Sequence, residues 1–188
     1  TPLYSSAASD VYKRQDGDSA SLGEVCTLIS ALSRTPLKQC FAITGSINQF
    51  GEVQAVGGVN EKIEGFFRLC EARGLTGEQG AIIPHSNVST LMLDERVLQA
   101  VRAGQFHVYS VRHVDEALSL LVGEDAGTPN EKGHFPKGSV NARVVERLRE
   151  IAEIGMGEED KPEQAKEALT AALPEKPKKP RAKKPTPE

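Results

Sequence analysis

Two residues of this chain have the types and settings to do acyl chemistry together. They are Ser19, in the turn Asp16-Gly17-Asp18-Ser19-Ala20-Ser21, and Lys62, in Gly57-Gly58-Val59-Asn60-Glu61-Lys62. A serine hydroxyl is a poor nucleophile until a base takes its proton, and a lysine can be that base when its ammonium gives up a proton near neutral pH. Ser19 stands at the mouth of an apolar-periodic helix, where unpaired backbone N–H groups can face a developing oxyanion. Lys62 falls in the first turn of a second predicted helix, where the positive end of the macrodipole disfavours an ammonium. Singly, each residue has an ordinary reading: a serine in such a turn usually caps a helix, and a lysine is usually a solvated surface charge. Ser21-Leu22-Gly23-Glu24 fits a capping box, so Ser21 is the expected cap and Ser19 is left outside the helix with no structural duty.

Three blocks carry a family resemblance: the nucleophile turn; Ala42-Ile43-Thr44-Gly45-Ser46-Ile47 with Gly51-Glu52-Val53-Gln54-Ala55-Val56-Gly57-Gly58; and Asn60-Glu61-Lys62-Ile63-Glu64-Gly65 with Ile82-Ile83-Pro84. In order, spacing and flanking glycines, residues 16 to about 123 resemble the proteolytic domain of Lon proteases. The turn reads Gly17-Asp18-Ser19-Ala20-Ser21, as in the Lon-like branch, where the commoner form is Gly-Pro-Ser-Ala-Gly. The resemblance implies Ser19 as nucleophile, Lys62 as general base, and Asp16 and Thr44 as supporting polar residues. Many Lon proteases have a glutamate where this chain has Ser46, so Ser46 is assigned no role. The resemblance also implies a compact α/β fold of the ribosomal protein S5 domain 2-like kind. It further implies an ATP- and magnesium-using AAA+ module outside this chain, assembly into a ring, and unfolded or damaged proteins as substrates. No cofactor is implied for the proteolytic part.

Composition bounds the rest. The 188 residues are 38% hydrophobic and 26% charged with net charge −3, which suits one compact domain plus extensions. No apolar run approaches the about 18 residues of a membrane span, and no signal segment is evident. Cys26, Cys40 and Cys70 have no metal-like spacing and read as reduced core residues of a cytoplasmic protein. His85, His107, His113 and His134 are scattered without a zinc-protease pattern. Neither a dinucleotide nor a P-loop glycine motif occurs, which argues against a kinase of related fold.

Along the chain, Asp10-Val11-Tyr12-Lys13-Arg14-Gln15 resembles a translated sequencing adapter, so residues 1–15 are read as a non-native scar or disordered arm and the native sequence as starting at Asp16. Residues 16–123 alternate: a helix at about 20–33, a strand from Phe41 to Ile47, another from Val53 to Val56, and a helix at about 60–73 ended by Gly74. A buried strand Ala81–Pro84, a helix at 94–103, a strand Phe106–Tyr109 and a closing helix through Val114, Ala117, Leu118 and Leu121 follow. Helices between strands predict crossovers and at least partly parallel pairing. Residues 124–172 read as a linker and helical extension, with Val144, Leu148 and Ile151 as the apolar stripe of a helix near 140–154 and a shorter helix at 162–172. Five prolines and six lysines or arginines between Leu173 and Glu188 predict a disordered basic tail. Without interleaved aromatics its claim on nucleic acid is weak. The rival to a protease is a non-catalytic, ring-forming Lon-like module of a DNA-associated ATPase. Such modules lack the serine and lysine that this chain retains.

Overall fold

The computed structural model describes residues 18–155. The segment 1–15, Asp16, the helix expected at 162–172 and the tail expected from Leu173 lie outside the described residues. In chain order the elements are α1 (Ser21–Ser33), β1 (Phe41–Ile43), β2 (Ser46–Ile47), β3 (Val53–Gln54), α2 (Val59–Arg73), β4 (Gly80–Pro84), a 3₁₀ segment (His85–Thr90), α3 (Glu95–Arg102), β5 (His107–Val111), α4 (Val114–Val122) and α5 (Val140–Gly155).

β4 is the centre. Its five residues Gly-Ala-Ile-Ile-Pro are all buried, as befits a strand covered on both faces. Side chains alternate across it, Ile82 entering one core and Ala81 and Ile83 the other. β1 and β5 flank it in parallel, with Ile43 beside Ile82 and Tyr109 on its other side. Over the Ile82 face pack Leu22 and Cys26 of α1 and Ala117, Leu118 and Leu121 of α4. Over the other face pack Ile63, Phe67 and Cys70 of α2 and Val97 and Ala100 of α3, closed by Phe106, whose ring meets that of Phe67 edge-on at 5.3 Å. The parallel order and the crossover helices are those expected of an α/β domain.

The expected strand Phe41–Ile47 is two strands. Thr44 N still donates to Ile82 O at 3.1 Å, but Gly45 turns both its backbone groups to the chain before and within α1: Gly45 N donates to Ser19 O at 2.9 Å, and Leu22 N donates to Gly45 O at 3.1 Å. The chain then leaves the parallel sheet, and Ser46–Ile47 pairs antiparallel with Val53–Gln54. Gly45 lets the chain pass close to α1 there: an added Cβ would come within 2.9 Å of Leu22 Cδ2, and the Leu22 side chain would have to shift. The last strand starts one residue later than expected and runs two further, to Val111, because Phe106 spends its side chain on the core.

Within the described residues, the segment after Gly123 lies against the domain. Ala126 is buried and its N–H donates to Ser119 Oγ at 3.0 Å, while Asn141 Nδ2 donates to Asp115 Oδ1 at 2.9 Å. α5 packs against α1. Its fully buried residue is Val140, whereas Leu148 and Ile151 of the expected stripe are 49% and 44% exposed.

Candidate active site

The site forms where the C-terminal end of β1 meets the start of α1 and the first turn of α2. Gly58, with φ +68°, precedes α2 in a left-handed conformation that glycine adopts without strain, and Lys62 N donates to Gly58 O at 3.1 Å. The loop before it is held from across the domain: Asn87 Oδ1 accepts from Val56 N and Asn87 Nδ2 donates to Val56 O, both at 3.0 Å. α2 thereby starts where its first turn can reach back over β1.

Lys62 Nζ lies 2.9 Å from Ser19 Oγ and 3.1 Å from Thr44 Oγ1. Thr44 is buried, and its hydroxyl donates to Ser19 O at 3.2 Å. That direction is informative: with its proton on Ser19 O, Thr44 Oγ1 can only accept from Lys62. A free amine at Lys62 would then spend an N–H on Thr44 and turn its lone pair to the Ser19 hydroxyl. Ser19 is half-buried and Lys62 largely exposed, so the pair opens to solvent at the surface. Ser19, Lys62 and Thr44 are brought together; Asp16 lies outside the described residues.

The expected capping box is absent. The residue preceding α1 is Ala20, in a helical conformation with no side-chain cap. Ser21 Oγ instead accepts from Ile47 N at 3.2 Å, a longer-range bond that joins α1 to β2. Ser46, given no role above, is buried and donates through its hydroxyl to Asp18 Oδ2. Asn87 and Ser46 were missed because no local period marks a residue whose partner is remote in sequence. Cys26 is buried against α4, where desolvation and then the nearby Asp115 carboxylate push its thiol up to about 12; it takes no part in the site. Among the described residues no group of three or more His, Cys, Asp or Glu side chains is gathered to hold a metal ion. Among the same residues no helix is long and apolar enough to cross a membrane.

Residues 11–124 match the family described as Lon protease (S16) C-terminal proteolytic domain. Over 136 residues the chain is 49% identical to a putative Lon protease homolog of Haemophilus influenzae, covering 72% of this chain and 22% of that protein. It is 54% identical over 111 residues to a putative Lon protease homolog of Escherichia coli, covering 59% and 19%. An archaeal Lon protease of Methanocaldococcus jannaschii is 38% identical over 117 residues, covering 62% and 16%. The chain thus spans about a fifth of the length of these curated relatives or less. Fold and comparisons together define an α/β peptidase domain. Within that class, the chain belongs to the Lon protease family and carries its proteolytic domain.

Proposed function

We propose that this domain is a serine endopeptidase in which Ser19 is the nucleophile and Lys62 the general base. The observation that carries the proposal is the 2.9 Å approach of Lys62 Nζ to Ser19 Oγ. Lys62 as the amine takes the Ser19 proton while Oγ bonds to the peptide carbonyl carbon. The resulting ammonium returns that proton to the leaving nitrogen as the C–N bond breaks, leaving an acyl-serine. Water, deprotonated by the same amine, attacks the ester and restores the hydroxyl. Thr44 keeps the amine aimed at Ser19 throughout. Ser21 N is engaged by Asp18 O and Leu22 N by Gly45 O, whereas Ser19 N and Ala20 N have no partner among the described residues and are the candidate backbone donors to an oxyanion. Asp16 is a further supporting residue by family resemblance.

The same proposal has the domain working as the proteolytic part of a cytoplasmic, ATP-dependent protease that degrades unfolded or damaged proteins. ATP and magnesium would act only on an AAA+ module, which unfolds and threads substrate, and subunits would close into a ring. The rival, a non-catalytic module, gains nothing from a lysine amine aimed at a serine hydroxyl. In the intact protein, Ser19→Ala and Lys62→Ala are each expected to abolish peptide hydrolysis and to leave ATP turnover largely intact. The double variant is expected to be no worse than either single one, because nucleophile and base act as a unit. Wild-type proteolysis by Ser19→Ala would refute the assignment.

A further inference from the structure

The residues Thr44-Gly45-Ser46-Ile47 run alongside the nucleophile turn and bond to it in sequence. Thr44 Oγ1 and Gly45 N both donate to Ser19 O, at 3.2 and 2.9 Å. Gly45 O accepts from Leu22 N at 3.1 Å, Ser46 Oγ donates to Asp18 Oδ2, and Ile47 N donates to Ser21 Oγ at 3.2 Å. The segment is a splint, each of its four residues holding a point on the turn or on the helix behind it.

The splint is uneven. On the C-terminal side of Ser19, α1 itself, with Leu22 fully buried, fixes the chain. On the N-terminal side, Asp18 O accepts only from the neighbouring Ser21 N among the described residues, a bond within the turn. The bond from Ser46 is the one among the described residues that ties Asp18 to a remote element. Ser46 is 2% exposed and Asp18 sits at the surface, so the rigid end of the contact is the strand and the guided end is the turn. The backbone between Asp18 and Ser19 sets where Oγ points, and a hydroxyl displaced by about 1 Å from its line of attack costs on the order of a hundredfold in rate.

We propose that Ser46 is a positioning residue for the peptidase reaction: through the Asp18 carboxylate it fixes the N-terminal arm of the nucleophile turn and so the direction of the Ser19 hydroxyl. This rests on Ser19 being the nucleophile. It gives a role to a serine that the family resemblance left without one.

The test uses the intact protein, a fluorophosphonate that acylates reactive serines, and a short fluorogenic peptide. Ser46→Ala and Asp18→Ala are each expected to slow Ser19 acylation about tenfold and to lower kcat with KM unchanged, part of the loss that a fully misplaced nucleophile would show. Combined, they are no slower than the worse single variant, because both break one bond. Asp18→Asn, which keeps an acceptor, is expected to react several-fold faster than Asp18→Ala; both lack the charge, so the difference isolates the hydrogen bond. Asp18 is exposed, so its variants keep the test open should Ser46→Ala unfold. Wild-type acylation in Asp18→Ala, losses that multiply in the double variant, a loss confined to KM, or equal rates for Asn and Ala at position 18 would each overturn the proposal. Ser19→Ala is run beside them: its labelling at the wild-type rate would refute the nucleophile assignment itself, a result distinguishable from failure of Ser46 alone.

Discussion

Replacing Thr44 by valine separates orientation of the base from its presence. The side chain is buried, and valine keeps its branched shape while deleting the hydroxyl, so little packing is disturbed. Two hydrogen bonds are lost, the one accepted from Lys62 Nζ at 3.1 Å and the one donated to Ser19 O at 3.2 Å. Ser19 O is not orphaned, because Gly45 N still donates to it at 2.9 Å. The stability loss is therefore the net worth of two ordinary hydrogen bonds, about 1–3 kcal/mol. The catalytic loss is larger in consequence: an amine no longer held against Thr44 must find the Ser19 hydroxyl unaided. One bond worth about 1.4 kcal/mol in the transition state corresponds to about tenfold in rate. Thr44→Val is expected to lower kcat about tenfold in single-turnover cleavage of a short fluorogenic peptide by the intact protein, with KM unchanged. Thr44→Ser, which keeps the hydroxyl, is expected to recover most of it. Wild-type kcat in the valine variant, or a serine variant as slow as the valine one, would refute the orientation argument.

Gly45→Ala drives a methyl to 2.9 Å from Leu22 Cδ2 and 3.2 Å from Val53 Cγ1, so it should lower stability by about 1–3 kcal/mol in denaturant titration and slow Ser19 acylation as the turn shifts. Leu22→Ala, at a fully buried position in the core beneath α1, should cost about 2–5 kcal/mol by the same titration. Cys26 holds its proton in the native state up to about 12, against 9.0 for the ordinary thiol. Its stabilising effect is therefore whole below pH 9.0 and is lost as pH rises toward about 12, where the unfolded chain releases the proton first. Cys26→Ala should flatten that alkaline decline in pH-dependent melts, and at pH 8 a thiol reagent should modify the half-buried Cys40 before Cys26.

The helices and the central strand were legible in the sequence because their causes are local. Apolar residues three and four apart from Leu22 to Leu32 and from Ile63 to Cys70 can only be buried together on one face of a helix. Ala81-Ile82-Ile83-Pro84 is apolar on both faces and so belongs inside a covered sheet. Serine and lysine, with their glycine-rich flanks, declared the chemistry available. Their meeting was decided elsewhere. Ser19 and Lys62 stand on different elements, and what brings them to 2.9 Å is the burial of α1 and α2 on opposite faces of one sheet, with β1 between. The same packing overrode the local rules: Gly45 left the sheet to bond Ser19 and Leu22, Ser21 gave up its cap to hold Ile47, and Ser46 reached Asp18. These partners are 23 to 28 residues apart, and Val56 and Asn87 are 31 apart. Residue types and periods are properties of neighbours along the chain, so they determined which elements form and which groups could react. A hydrogen bond between remote residues is strong only where packing has already excluded water and fixed both ends, and only the tertiary structure supplies that.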